Sequence, residues 1–137
     1  MVEERDLHAA VEAEFGAPLL LAPYASGAAG FARKRPARHP RNAIRDWLEE
    51  LLERGRSGET LVCLVPARTD TSWWWNFCRF GHVRFLKSRV RFEGEKSGAP
   101  FPSAVVVFGP GARTDLAGWW NITTGELHLL PVGAQRR

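Results

Sequence analysis

The chain has 137 residues, of which 45% are hydrophobic and 25% are charged, and this composition fits a single compact domain spanning residues 1–137. No run approaches the roughly 18 uninterrupted apolar residues that span a bilayer. The charged segment from Met1 to Asp6 is unlike a secretory signal. We therefore expect a cytoplasmic protein that does not bind a membrane.

The two cysteines, Cys63 and Cys78, lie within apolar stretches. Neither has His or Cys neighbours at the spacing of metal ligands, so we predict no metal site. Buried, reduced thiols are the expected state.

The formal net charge of +4 conceals an alternation along the chain. Residues 33–45 contain six Lys or Arg and no acid, and residues 71–96 contain six against two acids. Residues 1–32 and 46–70 are acidic. A basic block can attract phosphate backbones or acidic protein faces, whereas an acidic block on the same face would repel nucleic acid. Simple solvation of the surface is the competing interpretation.

The chain begins with a predicted helix and strand. Asp6 can cap a helix that continues to Phe15, and Gly16 can end it. A short apolar strand is expected over residues 18–21.

A long loop and a crossover unit follow. Residues 22–41 are rich in Ala, Gly, Pro and Arg without a sustained period, which predicts a basic loop. From Asn42 as N-cap, apolar residues at helical spacing predict a second helix to Arg54. The apolar run over residues 60–65 is typical of a strand that is buried on both faces of an α/β sheet.

The second half is predicted to be mainly strands. Thr71 can cap a helix over residues 72–80, and strands are expected over residues 83–86 and 104–108. Residues 90–92 could pair with the strand at 83–86 or with another neighbour. The segment 112–137 is predicted to form a C-terminal β-hairpin extension.

Three segments carry a resemblance to a known family: residues 66–74 (PARTDTSWW), residues 83–92 (VRFLKSRVRF) and residues 99–108 (APFPSAVVVF). They resemble the C-terminal half of the phage-encoded adenine-N6 DNA methyltransferase (Dam) family, and the resemblance extends from Ile44 to Phe108. It implies an α/β fold, a truncated Rossmann-like methyltransferase sheet with flanking helices, in which residues 60–65 form a core strand.

The same resemblance implies damaged chemistry. The family grips a flipped adenine with an Asn or Asp, two prolines and an aromatic residue. The nearest matches here are residues 21–24 (LAPY), which have no polar acceptor, and residues 38–41 (RHPR). Residues 18–22 also lack the family's donor-side carboxylate. We therefore expect no catalytic residue and no cofactor; S-adenosylmethionine is required only if an active enzyme is the correct alternative.

Candidate binding residues come from the resemblance, the basic blocks and the tryptophans. Arg68 and Asp70 can pair across a tight loop beside Trp73, although loop bracing explains them equally well. A second basic patch is expected to comprise Arg84, Lys87, Arg89 and Arg91, the last two on one face of a strand. The binding candidates are Arg68, Asp70, Trp73, Arg89, Arg91, Trp119 and Trp120. The candidates for binding nucleic acid or an acidic partner are Arg33, Lys34, Arg35, Arg38, Arg41 and Arg45.

The tryptophans occur in two clusters, residues 73–75 and residues 119–120. Three consecutive helical residues spread over about 200°, so at least one of the first cluster should be partly exposed. Exposed Trp beside Arg is common at interaction hot spots and at base-stacking sites, while core packing is the competing role. The hairpin lies beyond the family's usual end and suggests a new protein interface.

We interpret the chain as a phage pseudoenzyme that binds host nucleic-acid machinery, such as RNA polymerase or a defence complex, in the cytoplasm of an infected bacterium. The alternatives are an active S-adenosylmethionine-dependent DNA adenine-N6 methyltransferase and a direct DNA-binding or structural subunit. An enzyme requires a cavity beside residues 21–24, and a DNA binder requires both basic blocks on one face. A protein binder requires an exposed apolar patch that includes Trp119 or Trp120. The oligomeric state is left open.

Overall fold

The computed structural model describes residues 1–23 and 43–132. Its helices are α1 (Glu4–Phe15), α2 (Ala43–Arg56) and α3 (Ser72–Asn76), followed by a 3-10 turn at Cys78–Phe80. Its strands are β1 (Val2–Glu3), β2 (Leu19–Leu21), β3 (Leu61–Pro66), β4 (His82–Leu86), β5 (Val90–Arg91), β6 (Ser103–Phe108), β7 (Leu116–Trp120) and β8 (Leu127–Pro131).

Six strands form one mixed sheet in the order β2-β3-β6-β4-β7-β8. Strands β2 and β3 run parallel, β6 runs antiparallel to both β3 and β4, and β7 runs parallel to β4. Strand β8 completes the sheet antiparallel to β7, which confirms the predicted C-terminal hairpin. Every residue of β3 and β6 is buried, as the apolar runs predict.

Helix α1 begins earlier than predicted. Glu3 occupies the N-cap position in extended conformation, and Asp6 lies inside the first turn, where an acidic side chain favours the helix dipole. The predicted start at Asp6 is wrong because β1 pairs with β5 and holds the chain extended up to Glu3. The predicted end is confirmed: Gly16 adopts a left-handed conformation (φ 68°) and donates its N–H to the Glu12 carbonyl.

The other helices largely follow the predictions. Helix α2 buries Trp47, Leu48, Leu51 and Leu52, and it continues two residues beyond the predicted end. Thr71 caps α3 by accepting a hydrogen bond from the Trp74 N–H at 3.2 Å. Helix α3 is shorter than predicted, because the chain changes to the 3-10 turn after Phe77. The predicted cap Asn42 and most of the predicted loop lie outside the described residues.

Helices cover both faces of the sheet. On the Arg84 face, Glu14 and Phe15 of α1 contact Arg84. On the opposite Phe85 face, Trp74 of α3 stacks on Phe85, and α2 packs closely on β6. Only glycine fits at position 55 of α2, because a Cβ there would lie 2.9 Å from the Phe108 Cβ. The result is a three-layer α/β structure with one connected apolar core.

The open prediction for residues 90–92 is settled by long-range pairing. Strand β5 pairs in parallel with β1 in a separate two-stranded sheet, with Val2 opposite Val90. It does not pair with β4, whose two sides are occupied by β6 and β7. Within the described ranges, we find no helix with the length and apolar character that crossing a membrane requires.

Candidate interaction surface on the C-terminal hairpin

The adjacent tryptophans of β7 have opposite environments. Trp120 points to the Arg84 face and is 5% exposed, whereas Trp119 points to the Phe85 face and is 52% exposed. This difference arises because successive side chains of a strand alternate between the two faces of a sheet. Of the two hairpin tryptophans predicted to bind a partner, Trp119 is therefore the accessible one.

Trp119 belongs to a row of aromatic side chains on the Phe85 face. Trp74 stacks on Phe85 with ring centroids 5.9 Å apart and planes inclined by 12°. Phe85 contacts Trp119 at 6.2 Å, and Trp119 meets the edge of His128 at 6.4 Å. Trp73 extends the row beyond Trp74, at 6.2 Å. We call these five residues the aromatic row; it starts at α3 and ends on the edge strand β8.

Exposed apolar side chains are concentrated on the hairpin. The described residues include seven large hydrophobic side chains that are exposed, and four of them are in or directly after β7 and β8. Trp119 and Leu130 lie on the Phe85 face and, with Val132 directly after β8, form what we call the hairpin patch. Leu127 lies opposite Trp120 and is exposed on the other face. A cluster of exposed apolar residues of this kind commonly marks a contact surface.

A small cleft lies beside the hairpin patch. It has a volume of about 240 Å³. Its lining residues are Lys87, Trp119, Trp120, Asn121, Glu126 and His128. This volume is below the roughly 300–1,000 Å³ of typical small-molecule sites. The cleft is therefore suited to a single side chain of a partner, and its lining includes one cation, Lys87, and one carboxylate, Glu126.

On the opposite face, Trp120 of the hairpin contacts an ion pair between the buried Arg84 and the partly exposed Glu14. Arg84 is 4% exposed, and its two terminal nitrogens donate to the Glu14 carboxylate at 2.8 and 2.6 Å. Its guanidinium lies over the ring of Phe15 and over the ring of Trp120, 5.0 and 4.7 Å from their centroids. The prediction that Arg84 belongs to a basic surface patch is wrong, because position 84 faces α1.

The buried side chain of His82 completes this network. Its Nε2 accepts a hydrogen bond from Arg84 Nε at 3.0 Å, and its Nδ1 lies 3.0 Å from the carbonyl oxygens of Arg113 and Leu116. These contacts fit a neutral ring that carries its proton on Nδ1. The hydrogen bond from Arg84 lowers the pKa of Glu14 below its ordinary value, against the opposing effect of burial.

Two other predicted basic residues lie in and beside the two-stranded sheet. Arg91 of β5 forms a bidentate pair with Glu3 of β1, at 3.1 and 2.6 Å. Arg89 precedes β5 and donates to the Ala99 carbonyl at 3.2 Å. Both side chains therefore have acceptors within the chain, which reduces their availability to a partner.

The loop after β3 contains two further candidates, both exposed. The Arg68 guanidinium lies 5.7 Å from the Phe101 ring centroid, and the Arg68 carbonyl accepts from the Thr71 hydroxyl at 2.8 Å. Asp70, the second candidate, lies between Arg68 and Thr71 in the sequence. Of the loop constellation, Trp73 is the residue that the structure brings into the aromatic row.

The first basic block is described only at its last member. Arg45 lies on α2, exposed, 2.7 Å from Asp46 and 3.7 Å from Glu49. The candidates Arg33, Lys34, Arg35, Arg38 and Arg41 lie outside the described residues.

The sequence analysis did not identify Phe85, His128 or Leu130 as residues of the site. Alternation along the predicted hairpin could have placed His128 beside Trp119. Phe85 joins the row only because β4 and β7 pair in parallel, with Phe85 opposite Trp119. Such pairing between distant segments has no short-range signal in the sequence.

Both cysteines are buried and free, as predicted, and burial raises the pKa of each thiol. In the part of the chain that the structure describes, no three His, Cys, Asp or Glu side chains are grouped to hold a metal ion. Comparison with protein-family models found no match, and comparisons with curated proteins and with solved structures found none either. Function is therefore inferred from the geometry of the described residues.

Proposed function

We propose that this chain is a protein-binding module that uses its hairpin patch to dock on a component of host nucleic-acid machinery, such as RNA polymerase or a defence complex. In this proposal it is a truncated, catalytically inactive relative of the Dam methyltransferases. The observation that carries the binding role is the exposure of Trp119 together with Leu130 on the same face of the hairpin and Val132 directly after it. Large aromatic residues surrounded by apolar contacts are typical centres of protein interfaces.

The charges near the hairpin patch favour a protein partner over a nucleic-acid partner. Lys87 shares the cleft beside Trp119 with the carboxylate of Glu126. Arg84 and Arg91 already form ion pairs within the chain. Nucleic-acid sites depend on several cations that neutralise phosphates, so a surface with one cation next to an acid suits a mixed protein surface better.

Two features support the proposal of an inactive relative of the Dam methyltransferases. Strands β2 and β3 are parallel and follow one another with α2 between them, which is the crossover unit of Rossmann-like sheets. Ligands of such sheets bind at the carboxyl ends of the strands. At the end of β2, the described residues Leu21, Ala22 and Pro23 offer no carboxylate, which supports an inactive protein.

The docking role can be tested with two exposed tryptophans. Immobilised wild-type protein, Trp119→Ala and Trp75→Ala would be incubated with lysate of the bacterial host, and captured proteins would be identified and then titrated in purified form. We expect Trp75→Ala to bind like the wild type and Trp119→Ala to bind about 30-fold more weakly or worse. Equal binding by both variants would show that the hairpin patch is not the docking surface.

Catalysis is tested separately. The purified protein would be titrated with S-adenosylmethionine and then assayed for methyl transfer to unmethylated duplex DNA. We expect neither binding nor transfer. Micromolar donor binding followed by transfer would establish the active methyltransferase instead.

Direct nucleic-acid binding is the second candidate, and the aromatic row favours it. Exposed rings on a sheet face can stack with unpaired bases, and Lys87 lies at the cleft beside Trp119. Quenching of tryptophan fluorescence by a single-stranded oligonucleotide, weakened by added salt and by Trp119→Ala, would support this candidate over a protein partner.

A further inference from the structure

Strand β8 forms one edge of the six-stranded sheet. Its inner side is hydrogen-bonded to β7, from Leu116 opposite Pro131 to Trp120 opposite Leu127. In residues 1–23 and 43–132, no strand pairs with its outer side. Among these residues, the backbone groups along that side therefore have no strand partner.

The hydrogen bonds at the two ends of the hairpin show which groups point outward. The Asn121 N–H donates to the Glu126 carbonyl at 2.8 Å, and the Val132 N–H donates to the Asp115 carbonyl at 2.9 Å. Because hydrogen-bonded pairs alternate in an antiparallel ladder, the even-numbered residues of β8 bond to β7. The N–H and carbonyl groups of Leu127 and Leu129 then point away from the sheet, and Pro131 contributes a carbonyl but no donor.

This edge lacks the usual protection against pairing. Natural edge strands are commonly shortened, bulged or marked by Lys, an inward-pointing charge or Pro. Residues 127–132 contain no charged side chain, and their single proline is at the last position of the strand. Leu127 and Leu130 are exposed on opposite faces of this strand. The edge is thus apolar and, within the part of the chain that the structure describes, unpaired.

We propose that β8 pairs antiparallel with β8 of a second copy of this chain, so that the two sheets form one continuous sheet. With the two-fold axis at Leu129, Leu129 lies opposite its own copy and Leu127 lies opposite Pro131 of the other chain. Charges of one sign on so short a strand would therefore lie close to like charges of the second copy. An uncharged strand avoids this repulsion, which favours self-pairing over pairing with a partner selected by its charge. The outward N–H groups of Leu127 and Leu129 would be the donors.

The proposed dimer has a consequence for the docking surface. The two-fold axis of such a pairing is perpendicular to the sheet, so the Phe85 faces of both copies lie on the same side. Trp119 and His128 of each copy then belong to one aromatic surface across the dimer. The dimer stands independently of the docking partner, because it uses the edge of β8 rather than the side chain of Trp119.

The test removes one outward donor while keeping the hairpin. Leu129→Pro deletes an N–H that faces away from β7, a position where an edge strand tolerates proline. Leu129→Thr is the matched control, because it shortens the side chain but keeps the N–H. Mass would be measured by light scattering during size exclusion, over a range of protein concentrations.

We expect the wild type and Leu129→Thr to have twice the mass of one chain and Leu129→Pro to have the mass of one chain. A wild type that is monomeric at every concentration would overturn the proposal, and so would a dimeric Leu129→Pro protein. If Leu129→Pro fails to fold, amide exchange of the wild type decides. Protection of the Leu127 and Leu129 N–H groups that increases with protein concentration supports pairing, and concentration-independent rapid exchange refutes it.

Discussion

The two faces of β7 show how one pair of tryptophans serves two purposes. On the Arg84 face, Trp120 covers a guanidinium whose bonds go to Glu14 and His82, and α1 closes the site. On the Phe85 face, Trp119 continues a row of rings past the end of the helical layer and remains half exposed. The residue types are the same, so the presence of a covering helix decides which one is core and which one is surface.

Truncation of the two tryptophans should separate these roles. We expect Trp120→Ala to lower the free energy of unfolding by about 4 kcal/mol, because it leaves a cavity over the buried Arg84. Trp119→Ala should cost less than about 1 kcal/mol, since much of its ring already contacts solvent. Urea unfolding of both variants provides the comparison. Similar losses for the two variants would contradict the assignment of Trp119 to the surface.

Gly118, which lies between Ala117 and Trp119, allows a test of the hairpin itself. A Cβ at this position would overlap the His128 carbonyl oxygen, which belongs to the backbone of β8 and cannot rotate away. We expect Gly118→Ala to displace β8 and to cost about 2 kcal/mol by urea unfolding. It should also weaken docking and dimer formation.

Gly111→Ala is the matched control, because a Cβ at position 111 meets no atom within 4 Å. Its unfolding free energy and its partner binding should equal those of the wild type. Normal dimer formation by Gly118→Ala would show that β8 is not the pairing edge.

Local signals in the sequence predicted much of the fold. The left-handed glycine after α1, the Thr71 cap and the alternation of the hairpin each depend on a few neighbouring residues. The Arg84 site could not be predicted in this way, because Glu14 and Arg84 are 70 positions apart in the chain. The same holds for β1 and β5, whose Glu3 and Arg91 are 88 positions apart.

These long-range contacts change the role that we expect for the basic residues. In the sequence, Arg84 and Arg91 both lie within the basic block of residues 71–96. In the fold, each meets a glutamate from the acidic N-terminal segment. Alternating blocks of charge therefore partly neutralise one another across the structure, and the exposed apolar hairpin becomes the more informative surface.

The smallest expected effect concerns the ion pair beneath the hairpin. Arg84 lowers the pKa of Glu14 in the folded protein, whereas the unfolded chain binds a proton there near the ordinary value of about 4.3. The contribution of this pair is therefore complete above that value and is lost as the pH falls through the lower pKa of the folded state. Because Glu14 is partly exposed, we expect Glu14→Gln to cost less than about 1 kcal/mol at neutral pH.

Urea unfolding from pH 7 down to pH 3 would measure this difference between the wild type and Glu14→Gln. Subtracting the two curves cancels the other carboxyl groups, which both proteins share. The difference should be constant above about pH 5 and should shrink below it. In an Arg84→Met background the same substitution should give a small difference that does not change with pH, because the cation that lowers the pKa of Glu14 is gone. A difference that persists at pH 3, or that survives in the Arg84→Met background, would mean that Glu14 stabilises α1 by some contact other than its pair with Arg84.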